Sequence, residues 1–312
     1  MRVAVIGAGS MGSLYGANLH RAGAEVILLD AWAEHVERVN RDGLRMDGLH
    51  GEFVASVEAA AAPEAVAPAD MALVLVNATD TAAAAQAARK VLKPEGFALT
   101  LQNGLGNVEP LQEVLGEERV MAGLSFHSAD LSGPGRVSHT NRGPTYLGEL
   151  DCSRSPRLGA VAGLMGRAGM DPQVEADITA TIWGKFVHNC AINALCAATG
   201  LRPGHIRQVE ELDRLQAGIV AEVVALAGAS GIVLPNPEPL EEIRAYCARK
   251  FHRVSMLQHL ERGRRTEIDA LNGYAVHRSR ALGLDCPCNA ALVALVKGIE
   301  FSPEGIGEHR PD

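Results

Sequence analysis

Apolar residues fall into two regimes along this chain. Over the first half, short β-branched runs alternate with stretches of helical period, and after about residue 177 only the helical period persists. Residues 2–6, Arg-Val-Ala-Val-Ile, read as a strand that breaks at Gly7-Ala8-Gly9-Ser10-Met11-Gly12. A helical pattern follows to about Ala22, where Gly23 is placed to stop it, and Glu25–Leu29 is a second apolar run closed by Asp30. The alternation continues with strands at Met71–Val76 and Phe97–Leu101 around a helix at Thr81–Val91. Val120–Gly123, Gly135–Thr140 and Thr145–Leu150 are further strands, before a helix near Arg157–Ala168. The alanine-rich Ala59–Ala69 reads as a small loop-and-helix segment.

The second regime predicts helices at Ile178–Thr199, Val209–Ser230, Leu240–Phe251, Met256–Arg262 and Glu267–Leu282. Ser255 can start one of them, and Thr266 with Asp269 resembles a capping box for the next. Asn289 is placed to cap a last helix from Ala290 to about Glu300, ahead of a polar tail. The expected fold is α/β: a doubly wound, mostly parallel sheet over residues 1–175, then an all-α domain over 176–312.

Composition narrows the function. Lys and Arg number 29 against 37 for Asp and Glu, a net charge of -8, and the densest basic stretch, Arg262–Arg265, is short. With only 6 Phe, 4 Tyr and 2 Trp to stack on bases, a nucleic-acid partner is not expected. The six cysteines show neither a CxxC pair nor zinc-like spacing with His, so no metal is expected, and Cys286-Pro287-Cys288 is too tight for an ordinary disulfide. No apolar stretch approaches the length of a membrane span and no signal-peptide core opens the chain, which points to a cytoplasmic protein. No stripe of side chains picks out a homodimer interface, although the helical half offers surface for one.

The glycine pattern gains meaning from its setting of strand before, helix after, and an acidic residue at the end of the next strand. Gly7 permits the turn, Gly9 lets the backbone approach a pyrophosphate, Gly12 lets helix pack on strand, and the phosphates meet the helix from Met11 onward. Asp30 stands where an adenosine ribose would arrive; its other reading is a surface Asp at a turn. A 2′-phosphate would meet it as a like charge, and no Arg or Lys occurs from 31 to 37, so NAD(H) is favoured, with NADP(H) as the alternative.

Two further groups carry chemistry. Asn103, in Gln102-Asn103-Gly104, follows a strand whose carboxyl end should line the ligand crevice; an ordinary turn Asn is the other reading. Lys185, Asn189 and Asn193 recur at i, i+4 and i+8, so they span only about 80° of an otherwise apolar helix. That stripe is either a solvated face or an anion and carbonyl site. Glu267 is a first-turn carboxylate whose dipole stabilisation alone would explain it.

These residues resemble the ketopantoate reductase (2-dehydropantoate 2-reductase) family from Met1 to about Glu300. The likeness rests on the Gly7–Gly12 turn, Gln102-Asn103-Gly104, the Lys185 helix, and Ser255-Met256-Leu257-Gln258 through Thr266-Glu267-Ile268-Asp269-Ala270-Leu271-Asn272-Gly273. The resemblance implies a Rossmann domain, a helical domain, and a 2-oxo acid substrate in the cleft between them. It implies Lys185 as general acid and Asn103 as a contact to the cofactor that helps set the lysine. Asn189, Asn193 and Ser255 would hold the substrate carboxylate and hydroxyls, Glu267 the cofactor ribose or the lysine, and Ala129 would line the nicotinamide through its backbone.

Three positions depart from the family pattern. Asn77 stands where many members carry a Lys, so the positive charge there is missing, although the position still belongs to the cofactor site. Asp30 replaces the basic residue that goes with NADPH, and His259 replaces an acidic residue after the Ser-Met-Leu-Gln run. Reduction of 2-dehydropantoate to pantoate is the leading expectation. A different NAD-dependent 2-hydroxy or 2-oxo acid enzyme is the alternative, and a non-catalytic dinucleotide sensor a third class, disfavoured by the intact Lys185, Asn189, Asn193 and Glu267.

Overall fold

The structure is a computed structural model that describes residues 1–49 and 51–302. Its chain divides into two compact units, residues 1–102 with 107–178, and residues 103–106 with the chain from 179 onward.

The first unit begins with β1 (Arg2–Ile6), α1 (Ser10–Arg21), β2 (Glu25–Leu29), α2 (Ala33–Asp42), β3 (Leu44–Gly48), β4 (Phe53–Ala55) and β5 (Glu58–Ala60). It continues through β6 (Ala69–Val74), α3 (Thr81–Val91), β7 (Leu92–Thr100), α4 (Val108–Leu115), β8 (Val120–Ser125), β9 (Ser128–Gly133) and β10 (Arg136–Asn141). β11 (Thr145–Glu149), α5 (Pro156–Arg167) and β12 (Pro172–Val174) complete it. An eight-stranded sheet runs β12-β11-β8-β7-β6-β1-β2-β5. The run from β8 to β5 is parallel throughout, whereas β11 lies antiparallel to β8. The order reverses at β1, which pairs with β2 on one side and β6 on the other: the doubly wound arrangement expected from the sequence. Val3 and Val5 of β1 pack with α1 and α5, while Ala4 and Ile6 pack with α3 and α4. Both faces are therefore covered, and β1 reads as a continuous apolar run.

Several elements were not legible in the sequence. β3, β4 and β9 join β10, the strand expected at Gly135–Thr140, in a small second sheet in the order β4-β3-β10-β9, and the unforeseen β12 adds an edge to the large one. Ala59–Ala69 holds the end of β5, a 3-10 turn at Pro63–Ala65 and the start of β6, so the expected loop-and-helix is partly strand.

The second unit contains α6 (Ile178–Thr199, beginning at its boundary), α7 (Pro203–Ile206), α8 (Glu210–Ala229), α9 (Pro239–Cys247), α10 (Ser255–Glu261), α11 (Asn272–Ala281) and α12 (Pro287–Phe301). No strand occurs among its described residues. Phe186, Val187, Cys190, Ala191, Ala194 and Leu195 of α6 are buried with Ile219, Val223 and Leu226 of α8 and with Leu292 and Val296 of α12.

Three local expectations are corrected here. The single helix over Glu267–Leu282 is broken into a 3-10 turn (Ile268–Ala270) and α11, with Leu271 non-helical at φ -106° and ψ -111°. The capping box at Thr266 and Asp269 is absent. Thr266 Oγ1 accepts from the Ile268 N–H, the Thr266 N–H donates to Glu300 at 2.6 Å, and Asp269 pairs with Lys297 at 2.6 Å. Asn289 lies inside α12, which Pro287 opens, and Glu222 of α8 accepts the Cys288 and Asn289 N–H groups at 2.8 and 3.0 Å. The cap comes from another helix, which local sequence does not reveal. The polar tail beyond Ser302 lies outside the described residues.

Candidate active site

In the first unit, β1, β2 and β6 end level, with Ile6 opposite both Leu29 and Val74. Their loops therefore leave from one edge, at the point where strand order reverses. Gly7 has φ +91°, and a Cβ there would come within 2.8 Å of the Val76 nitrogen. A Cβ on Gly12 would stand 1.8 Å from the Gly7 carbonyl oxygen. The fold itself requires these two glycines. Gly9 differs: its φ is -63°, open to any residue, and nothing lies within 4 Å of where its Cβ would be. The chain leaves that space clear beside the first turn of α1, which has no side-chain cap and no acidic residue. Such a turn presents its free N–H groups to an anion.

The Asp30 carboxylate ties this turn to the next loop. It accepts from the Ala8 N–H at 2.7 Å through one oxygen and from the Trp32 N–H at 2.8 Å through the other. A carboxylate offers about four lone-pair sites, so acceptors remain for two ribose hydroxyls. Ser10 accepts from the Leu131 N–H of β9 at 3.1 Å, and Met11 is half-buried against the core. Asn77 is exposed three residues beyond the end of β6. Ala129 sits on the small second sheet opposite His139, half-buried. The glycine turn and the carboxylate fit a dinucleotide.

The second unit gathers the other candidates. The short segment Asn103–Gly106, which follows β7 in the chain, belongs to this unit; the Leu105 N–H donates to the Ala270 carbonyl, and a Cβ on Gly104 (φ +82°) would come within 2.4 Å of that same oxygen. The Lys185 ammonium donates to Asn103 Oδ1 at 2.9 Å, and Asn103 Nδ2 donates to Glu267 at 3.4 Å. Three residues far apart in sequence thus form one polar chain, lysine to amide to carboxylate. Burial pushes the Lys185 pKa down to about 8, and the Glu267 charge opposes that shift. The group stays cationic near neutrality yet gives up its proton more readily than an exposed lysine.

Asn189 and Asn193 are half-buried one and two turns beyond Lys185 on α6, and Asn193 makes no side-chain hydrogen bond among the described residues. Ser255 is exposed in the first turn of α10. One neighbour escaped the sequence reading. His188 lies three residues after Lys185, meets the Tyr246 ring edge-on at 4.5 Å, and hydrogen-bonds Asn189. Burial, then the Lys185 charge, pushes its pKa down to about 4, so it is a neutral imidazole beside the lysine. The i, i+3 relation to Lys185 was the available signal.

Comparison with known proteins matches the chain twice. Residues 3–151 match the family described as ketopantoate reductase PanE/ApbA, and residues 177–300 match its C-terminal family. The chain belongs to the ketopantoate reductase family. It is a pyridine-nucleotide-dependent oxidoreductase of that family. A 2-dehydropantoate 2-reductase from Halobacterium salinarum is 35% identical over 95% of this chain and 98% of its own. The crystal structure of a ketopantoate reductase of the PanE/ApbA family from Ralstonia eutropha has a TM-score of 0.89, at 35% identity over 96% and 98% of the two chains. A D-mandelate dehydrogenase in ternary complex with NADH and anilino(oxo)acetate has a TM-score of 0.86, at 27% identity over 96% and 98%.

Among the described residues of this ketopantoate reductase family member, no group of His, Cys, Asp or Glu could hold a metal ion, and the cysteines are all free. No helix of the described residues is long and apolar enough to cross a membrane.

Proposed function

We propose that this chain reduces a 2-oxo acid, 2-dehydropantoate to pantoate, with Lys185 as the proton donor. In this reading residues 1–175 form the dinucleotide domain and residues 176–312 the substrate and catalytic domain. The turn Gly7, Ala8, Gly9, Ser10, Met11 and Gly12 would hold the pyrophosphate, and Asp30 the adenosine ribose. Asn77, Asn103, Glu267 and the Ala129 backbone would complete the nucleotide contacts. Bound there, a reduced nicotinamide supplies hydride to the 2-oxo carbon. As that carbon accepts the electron pair, charge grows on its oxygen. The Lys185 ammonium stabilises the charge and passes a proton to that oxygen, leaving a hydroxyl and a neutral amine. Asn103 aims the ammonium, Glu267 keeps it charged, and Asn189, Asn193 and Ser255 hold the substrate carboxylate and hydroxyl groups.

The observation that supports this reading is the 2.9 Å hydrogen bond from Lys185 to Asn103, on a lysine whose pKa burial has lowered to about 8. Asp30 supports NADH as the partner nucleotide, through its free acceptor sites and its repulsion of a 2′-phosphate. Asp30 and the NADH-bound D-mandelate dehydrogenase also support a second reading, an NAD-dependent enzyme for another 2-hydroxy or 2-oxo acid on the same scaffold. Steady-state reduction of 2-dehydropantoate with NADH and NADPH side by side tests both. A kcat/KM above roughly 10⁴ M⁻¹s⁻¹ with either nucleotide is expected. No turnover of that substrate, with another 2-oxo acid reduced, would select the second reading.

A further inference from the structure

We propose that Trp32 is the platform on which the adenine of the dinucleotide stacks, an inference that rests on the nucleotide-binding reading of the first unit. The chain holds 2 tryptophans, and this one keeps 39% of its surface exposed, an unusual outlay of apolar area on a turn. It stands at the N-cap of α2, two residues beyond Asp30. The Asp30 carboxylate accepts both the Ala8 N–H of the glycine turn and the Trp32 N–H, so one side chain fixes the phosphate turn and the tryptophan relative to each other. A dinucleotide whose pyrophosphate lies at the start of α1 and whose ribose meets Asp30 has its base next along, over the loop that leaves β2.

The indole is backed on one side. The His35 ring stacks on it at 5.4 Å between centroids and 19° between planes. His35 is fully buried, and its Nδ1 accepts from the Gly135 N–H at 3.1 Å, which locks the ring in place. That bond leaves the proton on Nε2, and Nε2 has no hydrogen-bond partner among the described residues. An aliphatic side chain at 35 would carry no such burden, so a flat ring behind Trp32 is held at a cost. Burial also keeps this imidazole below its ordinary pKa, hence uncharged behind the indole. A rigid, half-exposed indole with one face supported is what a purine needs for stacking, and every base has a face to offer.

The test is calorimetric binding of ADP-ribose, which carries the adenine half and no reactive ring, to the full chain and to Trp32→Leu and Trp32→Tyr. Trp32→Leu is expected to weaken ADP-ribose by roughly ten- to hundredfold, with Trp32→Tyr recovering most of it. Turnover of Trp32→Leu should show a raised KM for NADH at unchanged kcat. In a Trp183→Phe background, where Trp32 is the sole tryptophan, ADP-ribose should quench its emission. Equal ADP-ribose affinity in the wild type and Trp32→Leu would overturn the proposal. So would equal losses in the Leu and Tyr variants, because a merely structural indole gives that pattern. Failure of ADP-ribose to bind even the wild type would instead bring down the nucleotide-binding reading, and this proposal with it.

Discussion

Lys185 and Asn103 lie 82 positions apart and meet in a 2.9 Å hydrogen bond, with the ammonium donating to the amide oxygen. The amide passes the contact on to Glu267 at 3.4 Å, so the ammonium reaches its counter-charge through a neutral relay. A direct ion pair would hold the proton more tightly. The relay leaves a desolvated lysine, with a pKa of about 8, that remains charged near neutrality.

The pH dependence follows with a definite sign. A general acid works only in its protonated form, so kcat/KM should be flat below about 8 and fall about tenfold per pH unit above it. In Glu267→Gln the negative charge that raises the lysine pKa is gone, and the alkaline fall should move to lower pH. Steady-state profiles of the two proteins check this. A limb that stays in place would remove Glu267 from the account.

The glycine turn makes a paired prediction. Gly12→Ala drives a Cβ to 1.8 Å from the Gly7 carbonyl oxygen, so the turn or the helix must move, at a cost of at least about 1–3 kcal/mol. Gly9→Ala meets nothing within 4 Å and should leave the melting temperature unchanged while weakening NADH binding roughly tenfold or more. Thermal melts and nucleotide titrations of both variants separate the two roles. A Gly9→Ala protein that binds NADH normally would show that no ligand uses the space.

The glycine turn was legible in the sequence because its chemistry is local: strand, glycines, helix and acid follow one another within Arg2–Asp30. The Lys185 stripe was legible because its residues share one helix face. The misses come from long-range partners and weak periodicity. α11 looked continuous with Glu267 because its apolar period runs on. Asn272, however, is pulled inward, donating to the Cys190 carbonyl at 3.1 Å and to Asn289 at 2.8 Å, and the chain breaks at Leu271. β4 and β12 are three residues each, too short to show alternation, and β12 begins with a proline. Asp30 was read as a ribose contact or a surface turn residue, whereas its hold on the Ala8 and Trp32 N–H groups required the fold.

Glu222 gives a stability prediction away from the site. Its carboxylate accepts from the Cys288 and Asn289 N–H groups and from the Asn289 amide at 2.7 Å, capping α12 from α8. Glu222→Ala leaves those donors without their acceptor and should cost about 1–3 kcal/mol, read as a fall in melting temperature of roughly 2–8 °C. An unchanged melt would mean that water replaces the cap without loss.

Nucleotide choice separates from substrate choice at Asp30. Asp30→Ala should weaken NADH and shift the affinity ratio toward NADPH by roughly tenfold, since the like charge facing a 2′-phosphate is gone. Titration of both nucleotides measures this. Unchanged affinities for both would mean that the carboxylate only tethers Ala8 and Trp32.

The most direct test is single-turnover reduction of a 2-oxo acid by the NADH-loaded enzyme, wild type against Lys185→Met, with NADH affinity measured separately. With Lys185 as the proton donor, the variant should bind NADH within about twofold of the wild type while its rate of nucleotide oxidation falls roughly 10²–10⁴-fold. An unchanged rate in Lys185→Met would contradict the assignment of Lys185 as the general acid.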